Sequence, residues 1–240
     1  MTGSLQFDPS RVAPGATAHV FDVDHTLTRH STGALFAREG QRAGLFRWSQ
    51  LASLPYYYLR YRLGALSLGA VTREITPLRG YSRDDLEELA YRTWQNRGQD
   101  DLYPPVRAYL DACRRNGAPV ILATSTFDVI LAPLKQALGI DQVISSRLEF
   151  DQEGFATGWL VGGPCYAEEK ALRLKKLLGD LGIAPRDCAF YSDSHHDLPA
   201  LRLAGTAVAV NPDRLLARRA RREGWPVLRW DKPWQDHRAD

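Results

Sequence analysis

Four aspartates and a threonine sit where short apolar runs break off into polar residues. The runs Thr17–Phe21, Pro119–Ala123 and Cys188–Tyr191 end at Asp22, at Thr124, and at Ser192 and Asp193, with Asp24 and Asp197 close behind. Strands buried on both faces of a parallel sheet read this way when their C-terminal ends open into a site. Ligands of an open α/β sheet sit outside that edge, near a topological switch point. If the three run-ends share the edge, Asp22, Asp24, Thr124, Asp193 and Asp197 converge. Four gathered carboxylates repel one another, and a hard divalent cation offsets the repulsion. Mg2+ suits a site that offers few carboxylates and receives a phosphate.

The elements that must position these residues alternate. Helix-period stretches at Pro105–Arg115, Asp128–Leu138 and Ala167–Leu181 separate the strand runs, the last with Leu174, Leu177, Leu178 and Leu181 on one stripe. Ala207–Val210 and Val227–Trp230 extend the sheet, which predicts a doubly wound α/β core. The gap from Asp22 to Thr124 is far longer than one crossover needs. Its surplus is helical in period, at Leu35–Gln50, Leu51–Leu63, Leu66–Ile75 and Arg83–Arg97, with Ser82 and Asp85 in capping-box spacing. The division predicted is a core of residues 1–28 and 104–240 and a helical cap of residues 29–103. Strand-like residues around Gly154 and Gly158 predict a hairpin within Arg147–Val161.

With these placements the chain resembles the haloacid dehalogenase superfamily. Phe21-Asp22-Val23-Asp24-His25-Thr26-Leu27-Thr28 is similar to its first motif, D-x-D-x-T after an apolar strand, and Ala123-Thr124-Ser125 to its second. Lys170, opening the Ala167–Leu181 helix, resembles the third-motif lysine. Tyr191-Ser192-Asp193-Ser194-His195-His196-Asp197 resembles the fourth motif, an Asp followed by another four positions on. Their order fits the subfamily IB branch, phosphoserine-phosphatase-like, which has a Rossmann-like core and a C1-type helical cap between motifs one and two.

The resemblance implies an Mg2+-dependent phosphomonoesterase acting through an aspartyl-phosphate. Asp22 is the nucleophile and Asp24 the general acid and base, starting protonated through the crowding of nearby negative charge. Thr124, Ser125 and Lys170 bind the phosphoryl oxygens, with Thr124 and Lys170 counted among the catalytic groups. Asp22, Asp193 and the Asp24 carbonyl hold the metal, and Asp197 supports it from behind or orients Lys170. His196 stands where relatives often carry Asn, which suggests a hydrogen-bonding role; His25 and His195 receive no role. A zinc reading of His195-His196 lacks a third ligand at convincing spacing.

The substrate implied is a small phosphate ester, with phosphoserine and histidinol phosphate as candidates. Phosphoserine phosphatases of this branch place an acid just past the first motif to meet the substrate ammonium. Here that stretch reads Arg29-His30-Ser31-Thr32-Gly33, with no carboxylate. The stretch from Arg29 to Arg62 is instead basic and aromatic, which suits a substrate with additional negative charge. It also supports an alternative, a lipid-phosphate phosphatase or a membrane-peripheral protein using the cap. A dehalogenase on the same fold has no need of Asp24, Asp193 and Lys170 together.

Composition sets the outer bounds. Of 240 residues 44% are hydrophobic and 25% charged, near the averages for globular chains, which argues against disorder and fibrous classes. The net charge of +3 is too small to imply a nucleic-acid partner. Three cysteines without a C-x-x-C pair fit a reducing compartment. With no signal-length apolar run at Met1–Gly15, and with Pro55, Arg60 and Arg62 interrupting Leu51–Val71, the expected location is the cytoplasm.

Overall fold

The structure is a computed structural model and describes residues 8–46, 76–115 and 117–231. The helices expected at Leu51–Leu63 and Leu66–Ile75, and the aromatic and arginine residues from Arg47 to Arg62, lie outside these.

Seven strands form one sheet. In chain order they are β1 (Ala18–Phe21), β2 (Val120–Phe127), β3 (Gln142–Phe150), β4 (Ala156–Val161), β5 (Cys188–Ser192), β6 (Thr206–Val210) and β7 (Val227–Leu228). Their spatial order is β4-β3-β2-β1-β5-β6-β7. Every neighbouring pair is parallel except β3 and β4, the expected hairpin. The chain leaves β1 for β2 on one side and later returns for β5 on the other, so β1 marks the switch point where α/β sheets place their ligands.

Alternation along the central strands supplies two separate cores. Phe21, Leu122, Tyr191 and Val208 face one layer, with helices α1 (Pro9–Val12), α4 (Val106–Arg114) and α5 (Asp128–Leu138) contributing Val12, Tyr109, Leu110, Leu131 and Leu134. Val20, Ile121, Phe190 and Ala209 face the other, covered by α6 (Ala167–Asp180), α7 (Leu198–Leu203) and α8 (Arg214–Glu223) through Leu174, Leu178, Leu201 and Leu216. Each buried Leu or Phe contributes about 1.5–3 kcal/mol by leaving water. Of the stripe expected on α6, Leu174 and Leu178 reach the core, whereas Leu181 is exposed. Lys170 lies one turn before Leu174 on that buried face, so the helix carries its amine toward the strand ends.

Between β1 and β2 the described residues are helical. Helix α2 (Thr32–Arg42) is capped by Ser31, whose hydroxyl accepts from Ala34 N. It starts three residues before the expected position and stops at Arg42, because Gly44 turns the chain with φ +73°. Helix α3 (Arg83–Thr93) is capped by Ser82 as the sequence predicted and continues through a π turn, Trp94–Gly98, into Gln99–Asp101. A third apolar cluster joins Phe36, Phe46, Leu86 and Leu89 to Val129 and Ile130 of α5 and Leu160 of β4. The two connections of this inserted part pair with each other: Thr28 bridges Leu102 antiparallel, Tyr103 N donates to Leu27 O at 3.0 Å, and Arg29 N donates to Asp101 O at 2.9 Å. His30 Nδ1 lies 2.6 Å from Asp101 Oδ1.

Strand β2 runs four residues past Ala123, where the sequence suggested it would end. The ladder to β3 shifts register between Ala123 and Phe127, and Phe127 then pairs with Ser146. Thr124 therefore lies within the strand.

One buried polar group on β1 carries a pH consequence. His19 is 4% exposed and its Nδ1 lies 2.9 Å from the Tyr191 hydroxyl. Burial lowers the imidazole from its ordinary 6.5 to about 4. Between those values the unfolded chain holds a proton that the folded chain refuses. Stability is thus insensitive to His19 above pH 6.5 and falls as pH drops from there to 4, by up to about 3 kcal/mol. Denaturant unfolding at pH 7 and pH 4 should show this loss in the wild type and much less of it in His19→Gln. Equal losses in both proteins would assign the acid sensitivity elsewhere.

Candidate active site

The C-terminal ends of β1, β2 and β5 open into one cavity of about 480 Å³. Asp22, Asp24, His25, Ser125, Asp193, His195, His196 and Asp197 all line it, so residues far apart in sequence meet as the motif spacing predicted. Thr124 and Lys170 do not line it; they lie beneath its surface, 1% and 2% exposed.

Lys170 is the charge centre of the floor. Its ammonium lies 2.9 Å from Asp22 Oδ1 and 2.7 Å from Asp197 Oδ1, joining the ends of β1 and β5. The other Asp197 oxygen accepts from Ser192 Oγ at 2.7 Å. One ammonium does not offset the acids around it. Burial above all, with Asp197 and Asp24 adding to it, raises Asp22 from 3.8 to about 7 against the pull of Lys170. Burial, reinforced by Asp22 and Asp197, likewise pushes Asp193 well above the usual carboxylate range. The floor is thus short of positive charge.

Asp193 is positioned by a residue of the first motif. Thr26 is fully buried; its hydroxyl accepts from Asp193 N at 3.0 Å and lies 3.4 Å from Asp193 Oδ1. Trp230 Nε1 donates to Thr26 O at 2.7 Å and pins the loop from the far side. Within this loop His25 adopts φ +61°, uncommon for a non-glycine residue, and its Nδ1 lies 3.0 Å from Arg29 O.

Asp24 is held from the inserted part and from β2 at once. Its Oδ1 accepts from Thr32 N at 2.9 Å and Thr32 Oγ1 at 2.7 Å, while Oδ2 accepts from Ser31 Oγ at 2.9 Å and Thr126 Oγ1 at 3.3 Å. The hydroxyls can reverse and accept a hydrogen bond from a protonated carboxyl, so the same cradle serves either protonation state. Ser31, Thr32, Thr126 and the positioning role of Thr26 are absent from the sequence reading. The available signal was a Ser-Thr pair ahead of a helical stretch. On β2, Thr124 Oγ1 accepts from Thr126 N at 3.1 Å, leaving Ser125 and Thr126 to face the cavity.

The opposite wall is built by a cap. Asp213 precedes α8 and accepts from Leu215 N and Leu216 N, and from both the backbone N and ring Nδ1 of His195, at 2.8–2.9 Å. Burial pushes this carboxyl up, but the hydrogen bonds from Leu216 and His195 outweigh it and hold it below 3.8. His195 stacks on His196 with centroids 3.9 Å apart, and both belong to the wall.

Among the described residues no three His, Cys, Asp or Glu side chains form a ready-made metal cluster. The expected set does not require one, since Asp24 enters it through its backbone carbonyl and only Asp22 and Asp193 through side chains. All these donors are oxygens, and they stand among further carboxylates with one ammonium, Lys170, bridging Asp22 and Asp197. A Mg2+ ion, which keeps several waters and takes one or two carboxylates with a phosphate, fits that chemistry.

Known proteins match this architecture. A histidinol-phosphatase of Neisseria meningitidis serogroup C is 31% identical over 214 residues, covering 87% of this chain and 96% of that protein. A phosphoserine phosphatase of Mycobacterium tuberculosis is 29% identical over 215 residues, covering 88% of this chain and 70% of that protein. The crystal structure of a Bordetella pertussis protein of unknown function superposes with a TM-score of 0.77 at 26% identity, covering 89% of this chain and 98% of that one. The profile of the haloacid dehalogenase-like hydrolases matches residues 19–202, the span that contains every residue of the cavity floor, and the chain belongs to that family.

Proposed function

We propose that the chain is an Mg2+-dependent phosphatase of small phosphate monoesters that works through an aspartyl-phosphate on Asp22. The observation that carries this reading is the Lys170 ammonium bridging Asp22 and Asp197 at the floor of a cavity lined by Asp24 and Asp193. The names of the two phosphatase relatives support the reaction class, and they make phosphoserine and histidinol phosphate first candidates.

In the first step an Asp22 carboxylate oxygen attacks phosphorus, the phosphorus–oxygen bond to the alcohol breaks, and Asp24 gives its proton to the departing oxygen. In the second, Asp24 takes a proton from water as the water oxygen bonds to phosphorus. The bond to Asp22 then breaks, which frees phosphate and restores both groups. Lys170 holds the reacting carboxylate in place and balances charge on the phosphoryl oxygens. Ser125 and Thr126 present β2 to those oxygens, with Thr124 buttressing Thr126 from below. When bound to Asp22, Asp193 and the Asp24 carbonyl, Mg2+ supplies positive charge at the phosphoryl group.

Residues 29–103 would act as the cap that brings Ser31 and Thr32 to Asp24. Purified protein should release phosphate from p-nitrophenyl phosphate with Mg2+ and lose essentially all turnover in excess EDTA, with recovery on adding Mg2+. Turnover that persists in EDTA would overturn the proposal.

A further inference from the structure

Five carboxylates line the cavity, and each is already engaged. Asp22 and Asp197 share Lys170; Asp193 is tied to Thr26; Asp24 lies in the cradle of Ser31, Thr32 and Thr126; Asp213 is saturated by four donors. Arg214 lines the same cavity, is exposed, and forms no ion pair among the described residues. Its neighbour Asp213 forms no ion pair with it, both Asp213 oxygens accepting from Leu215, Leu216 and His195 instead.

The backbone of Arg214 is anchored. It is the first residue of α8, and the Asp213 cap ties that turn to His195, two residues after Asp193. Asp213 N also donates to Asp193 O at 2.8 Å, so the Arg214 backbone is anchored to the loop that carries Asp193. Phe127, Ile130 and Leu215 supply apolar lining, and the stretch from Arg29 to Gly33 offers no carboxylate to an ammonium.

Building on the phosphatase reading, we infer that Arg214 is a specificity-determining residue which selects phosphate esters whose alcohol portion carries a second anionic group. The phosphoryl group lies at the Asp22 end, the carbon chain follows the apolar lining, and the distal anion meets the guanidinium. An alcohol whose only charged end is an ammonium meets a like charge at this wall instead of a partner. That narrows the substrate class: of the two first candidates it favours phosphoserine, which carries a carboxylate, over histidinol phosphate, which carries none.

The test uses the full chain with Mg2+ and a ladder of straight-chain alkyl phosphates of two to six carbons, ending in methyl, carboxylate or ammonium. Wild type should show a higher kcat/KM for carboxylate-ended than for methyl-ended or ammonium-ended esters at one or more chain lengths. Arg214→Gln should reduce the carboxylate-to-methyl ratio about tenfold to hundredfold, the usual worth of a charge-assisted hydrogen bond, chiefly through KM. Arg214→Lys should retain part of the preference, and Arg214→Glu should shift it toward ammonium. Indifference to the end group at every length in wild type, or a ratio unmoved by Arg214→Gln, overturns the inference. Absence of turnover with p-nitrophenyl phosphate as well would instead overturn the phosphatase reading beneath it.

Discussion

Replacing Asp22 by asparagine should reduce phosphate release from p-nitrophenyl phosphate by on the order of 10⁴-fold or more, with the fold retained. The loss is large because an amide cannot form the acyl-phosphate bond, and removal of a nucleophile disables groups that act with it as a unit. The fold should survive because asparagine has the shape of aspartate and Lys170 keeps its 2.7 Å partner, Asp197. Stopped in acid after brief exposure to a phosphate-labelled substrate, wild type should carry protein-bound label and Asp22→Asn none. A variant keeping more than about a hundredth of wild-type turnover would place the nucleophile elsewhere.

Lys170→Met should damage both stability and turnover. The ammonium is 2% exposed and bridges two buried carboxylates, one just past the end of β1 and one in the turn that follows β5. Breaking such a pair by removing one partner costs about 3–5 kcal/mol, because the remaining charges are stranded. Turnover should also fall by about 10²–10³-fold through loss of a preorganised positive group. Unfolding measured in EDTA should show the larger deficit and unfolding in Mg2+ a smaller one, because a bound cation replaces part of the missing charge. Adding Asp197→Asn should recover some stability without recovering turnover. If Lys170→Met unfolds like wild type in EDTA, the bridge is not what holds the floor together.

Much of this site was legible because buried parallel strands leave a simple trace. Ala18–Phe21 and Cys188–Ser192 are buried on both faces and largely apolar, so the polar residues that end them stand out as edge positions. The acids stand out that way, and Lys170 through its resemblance to the third motif. The end of β2 does not, because Thr124-Ser125-Thr126 looks like a loop, although the ladder resumes beyond it at Phe127. Asp213 and His195 were missed for another reason: they are 18 residues apart and meet only because α7 and β6 fold the chain back over the loop after β5. Ser31 and Thr32 act on Asp24 through helix α2, whose start lies earlier than its apolar period suggested. His19 stood in plain sight, a histidine in an otherwise apolar run, but its tyrosine partner comes from a strand 172 residues away.

The pairing of residues 27–30 with 100–103 restricts how the intervening segment can move against the sheet. Two separate tethers would allow sliding, twisting and swinging. Laced together by the Thr28–Leu102 bridge, the Arg29 guanidinium bonds to Asp100 O and Leu102 O, and the contact of His30 with Asp101, they bend as one ribbon. That leaves essentially one axis, and Ser31 and Thr32 begin immediately beyond it. The same ribbon therefore sets where both hydroxyls stand against the Asp24 carboxylate, at 2.9 Å for Ser31 and 2.7 Å for Thr32.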